Sequence, residues 1–235
     1  MSDIFDCRDD AQLLPGMRQA RQAIGRGALV VIPTDTVYGV AADAFNAAAV
    51  QRLLDAKGRT RESPPPVLVA GTAMVRALVA DLPEPVERLI EKFWPGGLTI
   101  VLPAQPSLTW DLGETRGTVA VRMPDHRIAL ELIEETGPLA VSSANLTGEA
   151  AAVDVLSAHQ MLGDRIDVYL DSGPVATGVP STILDATGLA RREPGTARIL
   201  RIGAVSADEI HEVIGDLLED PAAPVETDAD DAGSA

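Results

Sequence analysis

Short apolar runs alternate along this chain with stretches of helical periodicity, and that alternation narrows its fold more than any other feature. A helical pattern around Gln12 to Ile24 is followed by the run Ala28 to Ile32. Asn46 can cap a helix reaching Asp55. Beyond it come the run Val67 to Ala70 and helical stretches from Thr72 to about Ala80 and from Pro85 to Phe93, where proline suits a first turn. Further strand-like runs are Leu98 to Leu102, Val119 to Val121, Leu139 to Val141, Val168 to Leu170, Ile183 to Leu184 and Ile199 to Ile202. Helices are expected over Arg127 to Glu135 and Val155 to Leu162. This is an α/β pattern. Some strands are joined by short loops and others by helices, so the expected sheet is twisted and mixed.

The last helix is the best marked. Ser206 and Glu209 form a capping box ahead of Ile210, Val213, Ile214, Leu217 and Leu218. Past Asp220 the chain mixes Pro, Ala and acids without periodicity, which predicts disorder. The expected organisation is a catalytic body over 8–206, a C-terminal helix over 207–219 packed on it, and a disordered acidic tail over 220–235. A length of 235 residues suits one domain with such an appendage.

No apolar stretch approaches the roughly 20 residues of a membrane-spanning helix. The opening MSDIFDCRDDAQ lacks a basic start followed by an apolar core, so a cytoplasmic location is expected. Cys7 is the one cysteine, which excludes an internal disulfide, and no Cys/His cluster supports a structural zinc. His126, His159 and His211 are far apart and read as surface or packing residues.

Acids outnumber bases 35 to 19, for a net charge of −16. From Asp216 onward seven acids stand with no Lys or Arg, which leaves −9 for the rest. That balance argues against an extended basic surface for nucleic acid. Only Lys57 and Lys92 are lysines, so a cationic site must be built mostly from arginine, whose planar fork suits phosphates and carboxylates.

Neither the phosphate-binding loop G-x-x-x-x-G-K-[ST], the dinucleotide fingerprint G-x-G-x-x-G nor the nucleophile elbow G-x-S-x-G is present. Instead polar clusters stand just beyond apolar strands or at helix ends, where α/β proteins usually hold ligands. Thr34-Asp35-Thr36 follows Ala28 to Ile32, and serves equally as a turn bonding its own backbone. Lys57-Gly58-Arg59 ends the second helix, where two cations would also offset the helix dipole. Ser142-Ser143-Ala144-Asn145 follows Leu139 to Val141. Arg122 ends Val119 to Val121, and Ser181-Thr182 opens Ile183 to Leu184.

Taken together, the strings PTDTVYGVAADA, KGR, FWPGGLTIVL, TVAVRMPDH, PLAVSSANLTG, STILD and ILRIGA stand in an order and spacing that resemble the YrdC-like family of threonylcarbamoyl-AMP synthases, from about Ala11 to Val205. The resemblance implies a twisted open mixed sheet with flanking helices around a large concave cavity. It also implies condensation of L-threonine, bicarbonate and ATP to threonylcarbamoyl-AMP and pyrophosphate. That product supplies the threonylcarbamoyl group for adenosine 37 of tRNAs reading ANN codons, by hand-off to a tRNA threonylcarbamoyltransferase complex.

Residue by residue, Lys57 and Arg59 fall on the family's K-x-R signature, Ser143 and Asn145 on its S-x-N signature, and these four are the expected catalytic set. Arg59, Ser63, Thr118, Ser143, Asn145 and Arg201 match ATP-side positions. Thr36, Arg122 and Ser181 match positions around threonine, with Arg122 suited to its carboxylate. Mg2+ is expected to arrive on the ATP phosphates, with no residue assigned as its ligand.

The stretch Thr60-Arg61-Glu62-Ser63-Pro64-Pro65-Pro66 departs from the family's usual sequence after K-x-R, and Leu68 stands where some relatives carry a substrate-contacting histidine. Some relatives also carry a second domain that closes over the nucleotide; the sequence resembles the short single-domain type. The competing readings are an RNA-binding module of the same fold, with weak tRNA binding, and a carbamoyl-adenylate-processing protein.

Overall fold

The computed structural model describes residues 3–219 apart from 192 and 194. In chain order the elements are β1 (Asp3–Asp6), α1 (Asp10–Gly25), β2 (Val30–Ile32), β3 (Gly39–Asp43), α2 (Ala47–Lys57), β4 (Val67–Leu68), α3 (Thr72–Leu78), α4 (Glu84–Phe93), β5 (Leu98–Pro103), β6 (Thr118–Arg122), α5 (Arg127–Thr136), β7 (Leu139–Ser143), α6 (Val155–Leu162), β8 (Val168–Asp171), β9 (Thr182–Asp185), β10 (Arg198–Arg201) and α7 (Ala207–Ile214). Local chemistry sets the ends. Asp9, Asn46 and Asp154 side chains accept backbone N–H groups at the starts of α1, α2 and α6, and Ser206 and Glu209 complete the capping box of α7. Gly58, at φ 66°, closes α2 in the left-handed conformation.

The strands form one open sheet in the order β1-β8-β2-β3-β7-β4-β6-β5-β9-β10. Pairings β1/β8, β2/β8, β4/β6 and β5/β9 are parallel, and the others are antiparallel. The mixed α/β architecture is therefore as expected.

The period of two along each strand explains how this sheet makes both a core and a site. In the half built on β8, β2 and β3, Val30, Ile32 and Ala41 pack under α1 and α5, while Val31, Val40 and Ala42 pack under α2 and α6. Both faces there are covered. In the other half Leu98, Ile100, Leu102, Val119, Val121 and Leu184 pack on α3, α4 and α7. The alternate residues Thr99, Val101, Thr118, Ala120, Arg122 and Ile183 face a cleft. A sheet with one face left bare provides the floor of a site.

Three details differ from the sequence reading. Strand β1 lies before residue 8 and pairs in register with β8, so the sheet extends beyond the expected start of the body. Strand β3 occupies the Gly-Val-Ala-Ala-Asp segment that periodicity left unassigned. The final helix ends at Ile214, because Gly215 takes φ 55°; a short 3-10 turn, Gly215–Leu217, follows instead of a helix to 219. The expected acidic tail lies outside the described residues.

Candidate functional site

The cleft has a volume of about 380 Å³ and is walled by residues of β5, β6 and β7, by the segments that lead into β3, β4, β6 and β9, and by Arg59 and Arg201. At its most buried corner Arg122, at the end of β6, is only 6% exposed. Its Nε donates to Gly96 O at 2.8 Å, its Nη1 to Thr36 Oγ1 at 2.9 Å and its Nη2 to Asp35 Oδ1 at 2.6 Å. A guanidinium carries five N–H donors, so these three contacts leave one on each Nη for a ligand. Asp35 Oδ1 also accepts the Asp125 backbone N–H at 3.0 Å, which fixes the carboxylate that fixes the arginine.

The Thr34-Asp35-Thr36 segment proves to be both turn and site. Thr34 Oγ1 donates to Val37 O at 2.6 Å and accepts the Thr36 and Val37 backbone N–H groups. That local knot turns Asp35 and Thr36 toward Arg122. Ser181 Oγ lies 2.8 Å from Thr99 Oγ1, and Arg201 donates through Nη2 to Ser181 O at 2.7 Å and Oγ at 3.3 Å.

Arg59 projects from beyond the cap of α2 and donates to Ser142 Oγ at 3.2 Å. Lys57 is fully buried and stands behind the wall. Its Nζ donates to Ser143 O, to Asn145 O at 2.6 Å and to Asn145 Oδ1 at 3.2 Å. The Asn145 amide in turn donates to Leu146 O at 2.9 Å and Glu149 O at 2.7 Å. The lysine therefore ties the end of α2 to the turn after β7, and Thr147 closes the same junction through two bonds to Lys57 O.

Burial pushes the Lys57 ammonium down to about 7, and Arg59 adds to the shift. Three acceptor oxygens call on all three ammonium hydrogens and so favour the charged form. Desolvation also lowers Arg59, Arg122 and Arg201, with Arg59 acting on Arg201, and Arg201 on Arg122. Mutually repelling cations gathered in a chain of net charge −16 call for an anionic ligand.

Of the ten expected site residues, Thr36, Arg59, Thr118, Arg122, Ser143, Ser181 and Arg201 line the cleft together. Lys57 and Asn145 are the framework directly behind it. Ser63 is exposed and stands apart, while Pro64, Pro65 and Pro66 form that part of the wall. Sequence reasoning missed Thr99, and it left Asp35, the orienting partner of Arg122, and Ser142 in their clusters without a role. Asp35 stood in a flagged cluster, but nothing local showed which arginine it would meet.

No group of three or more His, Cys, Asp or Glu among the described residues is placed to hold a metal ion. The hydroxyl oxygens of Thr36 and Ser142 already accept from Arg122 and Arg59, so a Mg2+ would have to be carried in on phosphates rather than held by this wall. Among the described residues no helix is long and apolar enough to cross a membrane.

An open mixed sheet with three arginines and a row of hydroxyls on its bare face defines an α/β protein that binds an anionic ligand at its strand ends. The Sua5/YciO/YrdC family model, described as telomere recombination, matches residues 22–203, and the chain belongs to this family. A protein of Mycobacterium leprae (strain TN), provisionally named threonylcarbamoyl-AMP synthase, is 50% identical over 215 residues, 92% of this chain and 95% of its own length. The threonylcarbamoyl-AMP synthase of Bacillus subtilis (strain 168) is 36% identical over 208 residues, covering 88% of this chain and 58% of its own length. Among solved structures, P. abyssi Sua5 complexed with L-threonine superposes with a TM-score of 0.79 at 36% identity, covering 86% of this chain and 58% of that one.

Proposed function

We propose that this protein is an L-threonylcarbamoyladenylate synthase, a nucleotidyltransferase that condenses L-threonine, bicarbonate and ATP for modification of adenosine 37 in tRNAs reading ANN codons. The observation that carries the reading is the arginine cluster of the cleft, with Arg122 pre-paired to a carboxylate and Arg59 and Arg201 bonded only to neutral oxygens. The relatives named as synthases and the threonine-bound Sua5 structure support it.

In the reaction the amino group of threonine adds to bicarbonate with loss of water, giving a carbamate. A carbamate oxygen then attacks the α-phosphorus of ATP, and the bond to the β-phosphate oxygen breaks to release pyrophosphate. Both partners are anions, so their approach must be neutralised. The two unused Nη donors of Arg122, beside Thr36 and Ser181, suit the threonine carboxylate. Arg59 and Arg201 suit phosphate oxygens and the charge that grows on the leaving pyrophosphate, with Thr118 and Ser143 on the nucleotide side. Lys57 and Asn145 hold the turn that carries Ser143, a positioning contribution of the kind on which phosphoryl transfer depends. Mg2+, bound with ATP, would share the neutralisation of the phosphates. The unstable product implies transfer to a tRNA-modifying complex, and with it a cytoplasmic location.

The test is pyrophosphate release from ATP and Mg2+ with and without threonine and bicarbonate. Release should require both co-substrates and fall by about 10²-fold or more in Arg59→Ala, the scale of a lost electrostatic group. Release indifferent to threonine would overturn the reading in favour of another acceptor.

A further inference from the structure

The connection from β5 to β6 runs through residues 104–117 without a helix or strand, a length at which a loop in a compact domain usually has a function. Arg61, in the loop after α2, pins it through both its side chain and its backbone carbonyl. Arg61 Nη2 pairs with Asp111 Oδ1 at 2.6 Å. Arg61 O accepts the Glu114 backbone N–H at 2.8 Å. Gly113 N–H donates to the same Asp111 oxygen at 3.1 Å. Beside these contacts Trp110 stacks on Phe45, with ring centroids 5.5 Å apart.

Gly113 shows how close the approach is. Its φ is +105°, and a Cβ there would stand 2.6 Å from Arg61 O. A side chain is excluded both by the backbone conformation and by the neighbour. The same loop delivers Leu112, only 2% exposed, and Thr115 to the cleft wall next to Thr118. Thr118 is tied to Thr115 by two bonds, at 3.0 Å from N–H and 2.8 Å from Oγ1.

We infer that Arg61, Asp111 and Gly113 are positioning residues: they strap the 104–117 loop across to the loop after α2 and so set the nucleotide-side wall of the cleft. The assignment of that wall to the nucleotide rests on the proposed synthase reading. The strap itself rests on the contacts. The Arg61 and Asp111 side chains are 43% and 46% exposed, so the ion pair alone contributes little, and the backbone bond and the glycine carry more of the hold.

Four variants and two readouts test this. Asp111→Asn should raise the ATP KM about three- to fivefold, the scale of an exposed ion pair, with the threonine KM within about twofold. Gly113→Ala should raise the ATP KM by about tenfold or more, because both the conformation and the contact are lost. Arg61→Asp, which sets two carboxylates face to face, should raise the ATP KM at least as far as Asp111→Asn, and the double variant Arg61→Asp/Asp111→Arg should recover part of that loss. The second readout needs no turnover: Arg116 is exposed in this loop, so trypsin should nick it several-fold faster in Asp111→Asn, and ATP should protect it in the wild type. An ATP KM unmoved in both Asp111→Asn and Gly113→Ala, or both KM values rising together, would overturn the inference. Equal nicking of wild type and Asp111→Asn would do the same. Loss of threonine-dependent turnover in the wild type, with ATP still protecting Arg116, would sink the synthase reading and keep the strap.

Discussion

At one end of the cleft Arg122 is held by three protein contacts, one of them a carboxylate, while toward the other Arg59 has one contact, to Ser142 Oγ. The first arrangement leaves a guanidinium with its plane and free donors fixed before any ligand arrives. The second leaves a cation able to follow a phosphate chain. A small carboxylate of constant shape is best met by a preorganised fork, whose dipoles need no rearrangement during reaction. A triphosphate that becomes a diphosphate leaving group changes its charge and geometry, and a less committed arginine suits it. Similar residue types thus serve two purposes according to how many of their donors the protein keeps for itself.

The largest test of this contrast is Arg122→Ala. Removing the arginine strands Asp35 in a largely buried corner, and loss of one partner from a buried pair is expected to cost about 3 kcal/mol of unfolding free energy, readable by urea denaturation. Threonine-dependent turnover should vanish with it. Unchanged stability would show that the corner is not preorganised by the pair.

Asp35→Asn is gentler, because it keeps the size of the side chain and removes its charge. It should raise the threonine KM about tenfold, near 1.4 kcal/mol, and leave the ATP KM within about twofold. Equal changes in both would mean that the two ends of the cleft are not independent.

The remaining test concerns the lysine behind the wall. The folded ammonium is lowered to about 7 from 10.5, so between those values the unfolded chain binds the more protons. Stability contributed by Lys57 must then rise as pH climbs from about 7 toward 10.5. Wild type should therefore gain on Lys57→Met across urea titrations at successively higher pH. A constant difference would mean that the three acceptor oxygens keep the folded lysine charged throughout.

Much of the architecture could be read from periodicity, because buried strands such as β2 and β5 are short apolar runs and the helices carry their caps in sequence. Two strands could not. Strand β1 has two apolar residues and sits at an edge, where little burial is needed. Strand β3 is Gly-Val-Ala-Ala-Asp, poor in the β-branched and aromatic residues that mark strands. Its place between β2 and β7 demands small side chains: a Cβ on Gly39 would lie 2.5 Å from Val141 Cγ1. The clusters of the site were visible because polar residues directly after apolar runs mark strand ends. Their partnerships were not, since Asp35 meets Arg122 and Arg61 meets Asp111 only through the sheet order. Lys57 illustrates the same gap: its spacing from Arg59 identifies it, but only the fold shows that its ammonium faces backbone oxygens.

The scarcity of lysine has a chemical side. A carbamoyl-adenylate, the product on the proposed reading, is a mixed anhydride and would acylate any accessible amine beside it. Guanidinium groups remain protonated and are poor nucleophiles, so a cleft whose lining cations are Arg59, Arg122 and Arg201 withstands its own product. Lys57 turns its nitrogen to three oxygens on the far side of the wall, and Lys92 lies exposed on α4, away from the cleft lining. A pocket charged by arginine is in this sense resistant to self-modification.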